Sequence, residues 1–355
     1  MKKLLFTAYN LDMGGIEKAL VNLLNNIDYS KYKVTLILQK KEGIFLDEIP
    51  KEVEVLEYGL SNNKNVFIRK IYNRLNLLKW LFKVNNKYDF AGNFATYLEF
   101  GSKLVLKASS NSALWVHNNY THSKMNDEEI KVFFSKIKIN SFKNVIFVSN
   151  EARLDQEKFI SKSVNKISIN NIIDYNKINK LQNEFKVTKE KEVTFINVSR
   201  HDEEQKKISR LIKASKRLIE EGYEFKLWLV GDGINHKEYV DSIKLNKLDN
   251  IVKTIGSVSN PFPYYKASDV VVLASEYEGY PVVFIEAMLM KKPIITTKVS
   301  DYETIQGIVV EKSTTGVYEG MKSYLDKKFN DEIKFDVNKF NENIKDSLEE
   351  LFSSK

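Results

Sequence analysis

The chain has 355 residues, 43% of them hydrophobic and 29% charged, with a formal net charge of +8. That length suits two domains of ordinary size, and the composition is that of a globular protein rather than a disordered one. Cysteine is absent, which excludes disulfides, thiolate metal sites and cysteine nucleophiles, and no apolar run has the length needed to span a bilayer.

The chain opens on Met1-Lys2-Lys3 and a short apolar run that turns polar at Asn10 and Asp12. This pattern predicts a buried first strand rather than a targeting signal, and with it a cytoplasmic location. Further on, apolar β-branched runs alternate with amphipathic stretches, the pattern of parallel α/β sheets. Strands are expected at Leu4–Tyr9, Val34–Gln39, Val53–Tyr58, Ala113–His117 and Val145–Ser149, then at Thr194–Val198, Lys226–Val230, Val252–Ile255, Val270–Leu273 and Pro293–Thr296. The two sets read as separate doubly wound units joined by the Asn-, Lys- and Ile-rich stretch Asn165–Lys191. The expected domains are 1–170 and 171–334, with a closing amphipathic helix in 335–355 that packs back on the first. Two such domains across a cleft would place ligands at the carboxyl ends of the strands.

Between Lys64 and Lys87 stand Arg69, Lys70, Arg74, Lys79 and Lys83 and no acidic residue, with Ile68, Ile71, Leu75, Leu78 and Phe82 at helical spacing. A basic amphipathic helix reads either as peripheral membrane-binding or as a core-packed helix with a basic solvated face. No RNA- or DNA-binding motif accompanies the charge, so nucleic acid is not expected as a partner.

Several residues carry candidate chemistry. Gly14 and Gly15 lie between the first strand and the helix IEKALVNLL, where backbone N–H groups can approach a phosphate or sugar; a plain tight turn is the other reading. His117 ends a strand, where it can offer a hydrogen bond or simply be structural. Arg200 and Lys206 follow the strand TFINVS, well placed to hold a diphosphate, since arginine grips phosphate as a fork and lysine as a point charge. Gly231 turns the chain after KLWLV, and Tyr264 or Tyr265 offers a ring for stacking on a base or for packing. Glu278 and Glu286 are separated by the elbow Gly279-Tyr280-Pro281 and a run that starts at Val282. Pro281 is preorganised for a first helical turn, and a helix N-terminus is an anion site. Carboxylates beside an anion site suit the hydroxyl-bearing neighbours of a phosphate, the composition of a sugar nucleotide. No Asp-x-Asp pair and no His/Asp/Glu cluster with ligand spacing appears, so no metal and no cofactor are expected.

With these elements in order, the chain resembles the large retaining glycosyltransferase family of GT-B architecture that carries the Glu-x7-Glu element, and within it the bacterial polysaccharide enzymes. The resemblance covers nearly the whole length and is strongest from Asn197 to Glu311. It implies an α/β fold of two Rossmann-like doubly wound domains facing across a cleft. It implies that Glu278 contacts the donor sugar and Glu286 the nucleotide ribose, while Arg200 and Lys206 hold the leaving diphosphate. His117 would face the donor sugar, Gly14 and Gly15 would lie near the phosphate and acceptor, and Asn171 and Asp174 match the interdomain linker. Gly279, Tyr280, Pro281, Val282 and Gly231 are counted with the donor-binding residues. The implied reaction moves a hexose, UDP-linked, to a hydroxyl of a growing surface glycan or lipid-linked oligosaccharide without a metal. A non-catalytic GT-B-like partner and a sugar-nucleotide epimerase are the alternatives. The sequence departs from many relatives at Lys298-Val299-Ser300-Asp301 and in an arginine loop one residue longer, which makes Lys207 a rival to Lys206.

Overall fold

The structure, a computed structural model, describes every residue except Met13, Thr96, 279–281, 300, 301, 303, 304, 329–331 and Lys355. The chain divides into two compact units, Met1–Ile173 with Asn338–Lys355, and Asp174–Val337.

In the first unit the strands are β1 (Lys2–Ala8), β2 (Tyr32–Leu38), β3 (Glu54–Glu57), β4 (Phe90–Asn93), β5 (Ser112–Val116), β6 (Asn144–Phe147) and β7 (Asn165–Ser168). The helices are α1 (Gly15–Leu24), α2 (Val66–Val84), α3 (Glu99–Ala108), α4 (Asp127–Lys136) and α5 (Asn150–Gln156). Among the described residues the strands form one parallel sheet in the order β3-β2-β1-β4-β5-β6-β7. The order reverses between β1 and β4. Strands covered on both faces need continuous apolar runs, and β5, SALWV, is buried at every position.

β4 and β7 were absent from the expected strands, and β7 begins the stretch assigned to the linker. Their sequences, FAGN and NKIS, carry too little β-branched or apolar signal to stand out. β4 is nonetheless central, and its glycine has a packing reason: a Cβ on Gly92 would lie 2.7 Å from the Trp115 ring.

The second unit holds α6 (Tyr175–Leu181), β8 (Thr194–Val198), α7 (Ile208–Glu220), β9 (Lys226–Val230), α8 (His236–Leu245), β10 (Val252–Gly256), α9 (Phe262–Ala267), β11 (Val270–Leu273), α10 (Val282–Leu289), β12 (Ile294–Thr297), β13 (Gly307–Val310) and α11 (Thr314–Leu325). Its strands are again parallel, in the order β10-β9-β8-β11-β12-β13, reversing between β8 and β11. α7 shows why the pattern folds this way: Ile208, Leu211, Ile212, Ser215 and Leu218 are buried at helical spacing while its lysines stay outside.

The last helix, α12 (Val337–Ser353), belongs largely to the first unit. Phe352 sets its ring 4.9 Å from Phe90, 5.6 Å from Tyr32 and 6.1 Å from Phe6, and Asn111 donates to the Leu351 carbonyl.

α2 does not bury the helically spaced apolar positions of its basic stretch, which rules out the core-packed alternative for them. Its inward side is Asn73, Asn76, Leu77, Trp80, Leu81 and Val84, with Trp80 and Val84 buried and Asn76 donating to the Tyr58 and Gly59 carbonyls. Ile68, Ile71, Leu75, Leu78 and Phe82, which the core-packed alternative would have buried, are exposed, Phe82 at 79% and Phe67 beside them at 71%. No described helix is long and apolar enough to cross a membrane.

Candidate active site

In an open parallel sheet, ligands bind outside the carboxyl ends of the strands where the strand order reverses. In the second unit that place is the pair β8 and β11, locked together by Asn197, whose amide donates to the Val272 carbonyl across the pair. The loop after β8 carries Arg200 and Lys206, and the loop after β11 carries Glu278.

The two loops are bonded to each other. Lys206 Nζ lies 2.5 Å from Glu278 Oε1, with the side chains only 16% and 7% exposed. Ser275 Oγ donates to the same oxygen at 2.7 Å. Gln205 Nε2 donates to Glu278 Oε2 and to the Tyr277 carbonyl, each at 3.3 Å, and its own carbonyl Oε1 accepts from Arg200 Nη2 at 3.3 Å. The main chain adds a bond from Glu276 N to the Gln205 carbonyl. Arg200 is otherwise 66% exposed, with Asp202 at 3.8 Å. Lys207, the rival cation, takes the left-handed N-cap of α7 at φ 49°, so its backbone starts the helix while Lys206 reaches the acid.

The root of the basic loop is rigid. His201 is fully buried, its N–H donates to the Asp232 carbonyl, and its ring lies 11° from parallel with His236. Burial, with the neighbouring His236 as the second cause, pushes the His201 imidazole down to about 4. Gly231 holds φ 138° and passes so close to β8 that a Cβ would fall 1.9 Å from the Ser199 carbonyl oxygen. Its role visible here is the close approach of two backbones.

Glu286 lies in the second turn of α10, and its Oε2 accepts from the Tyr265 hydroxyl at 3.0 Å. Tyr265 is fully buried, which removes it as a stacking surface; Tyr264 packs edge-on against Trp228 and Phe185. Val282 opens α10, partly exposed. Gly279, Tyr280 and Pro281 lie outside the described residues, as do Ser300 and Asp301.

His117, Gly14 and Gly15 belong to the first unit. His117 is 8% exposed and Nε2 donates to the Phe94 carbonyl at 2.9 Å. Burial drives its imidazole down to about 4, with the Phe94 carbonyl pulling partly back, so at neutral pH it is an uncharged ring. Gly14 caps α1 in extended backbone, φ −168°, a conformation any residue adopts, although a Cβ there would meet the Glu17 carboxylate at 2.1 Å; Gly15 has nothing near an added Cβ. Both follow β1, at the reversal of the first sheet. Asn171 leaves β7 still within the first unit, and Asp174 begins the second by capping α6 through Lys177 N.

The folded chain also gathers a group that sequence spacing hid. Among the described residues, ligand atoms of His122, Glu151 and Asp155 lie within 4.8 Å of one another. Asp155 Oδ2 lies 3.2 Å from His122 Nε2 and accepts from Asn119 at 2.7 Å.

Residues 192–327 match the family described as Glycosyl transferases group 1. A glycosyltransferase of Methanocaldococcus jannaschii is 30% identical over 208 residues, 54% of this chain and 50% of that protein. The chain thus aligns with about half the length of that relative. An N-acetylgalactosaminyltransferase of Campylobacter jejuni acting on a diphospho-undecaprenol-linked sugar is 26% identical over 347 residues, 92% of this chain and 91% of that one. Among solved structures, Anabaena Alr3699/HepE in complex with UDP superposes with a TM-score of 0.73 at 20% identity, covering 98% of this chain and all of that one. The fold is therefore GT-B, two Rossmann-like parallel-sheet domains, and residues 192–327 of it are similar to the group 1 glycosyltransferases.

Proposed function

We propose that the protein is a retaining glycosyltransferase that moves a hexose from a nucleotide diphosphate sugar, UDP-linked, to a hydroxyl of a growing glycan or lipid-linked oligosaccharide. The observation that carries this reading is the junction of the basic loop after β8 with the acidic loop after β11, at the reversal of the second sheet. A donor spanning that junction needs cations for its diphosphate and acceptors for its hydroxyls, and Lys206 and Glu278 supply one of each. In the free protein they neutralise one another. Donor entry exchanges partners: the diphosphate takes Lys206, and the Glu278 carboxylate turns to the sugar hydroxyls. Glu286, held by Tyr265, is left to receive the ribose hydroxyls.

In the chemical step the bond from the anomeric carbon to the diphosphate oxygen breaks, and the bond to the acceptor oxygen forms on the same face. The acceptor proton passes to the departing diphosphate. Charge growing on that leaving group meets Arg200, Lys206 and the N-terminus of α10, fixed charges that need no reorganisation. These cations suffice for the reaction without a metal. The HepE complexes with UDP and with UDP-glucose favour a uridine donor, and the Campylobacter relative's diphospho-undecaprenol substrate favours a lipid-linked acceptor.

A second observation bears on that acceptor. The outward side of α2 pairs exposed Phe67, Ile71, Leu75 and Phe82 with Arg69, Lys70 and Arg74, a composition suited to the interface of an anionic bilayer. The protein is accordingly a peripheral membrane enzyme.

Incubation with a panel of labelled sugar nucleotides tests the assignment. Hydrolysis or transfer of one UDP-sugar, with the product's anomeric configuration matching the donor's by NMR, is expected. Inertness toward every donor favours the non-catalytic partner, and conversion of donor without acceptor favours the epimerase.

A further inference from the structure

Gln205 stands between the two loops with a side chain whose polarity suits both. Its neighbours are a guanidinium, which only donates, and a carboxylate, which only accepts. An amide is both, and the charges dictate its orientation: Oε1 toward Arg200 Nη2 and Nε2 toward Glu278 Oε2, each at 3.3 Å. The same NH2 group reaches the Tyr277 carbonyl, and the Gln205 backbone carbonyl holds Glu276 N at 2.7 Å. Lys206 reaches Glu278 unaided, but among the described residues Arg200 is bonded to the acidic loop through Gln205 alone, and its side chain is 66% exposed. A long exposed arginine surrenders rotamer freedom when it grips a ligand, and holding it beforehand lowers that cost.

We propose that Gln205 is a positioning residue that sets Arg200 at a fixed distance from Glu278, so that the diphosphate end and the sugar end of one donor are gripped in register. The proposal rests on the donor-binding reading above and deepens it.

Titration calorimetry with UDP tests it. Gln205→Leu, similar in volume but without donor or acceptor, is expected to weaken UDP about tenfold, about 1.4 kcal/mol, with an unchanged melting temperature. Arg200→Ala combined with Gln205→Leu should bind no more weakly than Arg200→Ala alone, because Gln205 acts through Arg200. Gln205→Glu sets two carboxylates face to face and should lose still more, and adding Glu278→Gln should restore much of that loss, a rescue that a merely structural role would not produce. UDP affinity unchanged in Gln205→Leu, losses that simply add, or absence of rescue would overturn the proposal. Wild-type protein that binds no nucleotide diphosphate would count against the transferase reading instead. The clamp is then judged in the free protein by hydrogen exchange over 200–206 and 275–278, faster in Gln205→Leu if the clamp exists and unchanged if it does not.

Discussion

Lys206 and Glu278 form an ion pair that is almost out of water, and such a pair behaves differently from its members. Removing one partner strands the other charge and typically costs ~3–5 kcal/mol, whereas removing both is far milder. Lys206→Met is therefore expected to lower the melting temperature more than Lys206→Met combined with Glu278→Gln. A double variant less stable than either single one would show that the pair is not the unit. Arg200 makes the opposite case. It is 66% exposed, so Arg200→Ala should leave stability within about 0.5 kcal/mol. Turnover should nonetheless fall by roughly two to three decades, the usual cost of one contact to developing charge. Equal losses in donor affinity and turnover would reduce Arg200 to ordinary binding.

His117 brings pH into the account at the same scale. Its folded value, about 4, lies below the ordinary imidazole value of 6.5, so between these limits the unfolded chain binds the extra proton. Stability is fully present above about pH 6.5 and is lost as pH falls toward 4, by at most ~3 kcal/mol. His117→Gln should flatten that part of the stability curve, read by denaturant melts across the range; an unaltered slope would assign the titration elsewhere. These residues were legible as candidates because charged and polar types at strand ends are visible in the chain. Their partners were not. No spacing rule brings Glu278 to Lys206, Tyr265 to Glu286 or Phe94 to His117, since each contact is made between separate strand-end loops or helices.

Among the elements, α2 shows that periodicity identifies a helix and leaves open which face is buried. The helix forms where expected, with Asn65 capping Phe67 and Ile68. A 3.6-residue repeat reports that an apolar stripe exists, not which neighbour covers it. Here Trp80, Val84 and a pair of asparagines suffice to dock the helix, and the larger stripe is left outside. Replacing Phe67, Leu75 and Phe82 with Ser should therefore cost little stability while abolishing sedimentation with vesicles rich in anionic lipid. Arg69→Glu with Lys70→Glu and Arg74→Glu should weaken the same attachment in a salt-dependent manner. Retained binding in both sets would remove the membrane role. β4 escapes notice for a related reason: a central strand need not be strongly apolar when its neighbours supply the packing, as Trp115 does over Gly92; β7, at the edge of the sheet, is a short and largely polar NKIS.

At the scale of the whole molecule, the chain crosses to the second unit near Ile173 and returns through α12. The return is held by Phe352 among Phe6, Phe90 and Tyr32, and by Lys31 with Glu349 at 2.9 Å. Only the aromatic part of this contact is shielded from water, so the rings carry most of the energy. Phe352→Ala should cost about 3–5 kcal/mol and lower the unfolding transition of the first unit ahead of the second. Simultaneous and unchanged melting of both units would refute that docking role.

Alternation of apolar strands with amphipathic helices, the absence of cysteine, and the order of cations and acids along the chain were enough to call for two parallel α/β domains and to nominate the loops after β8 and β11. Those features depend on local periodicity and on chain order, which a linear string contains. Packing in three dimensions chose the rest: that cation and acid pair with each other, that α2 turns its apolar stripe outward, and that two weak strands complete the first sheet. Each of these is the outcome of competition among surfaces distant in the chain for the same neighbour, and the winner depends on shapes and charges that meet only after folding.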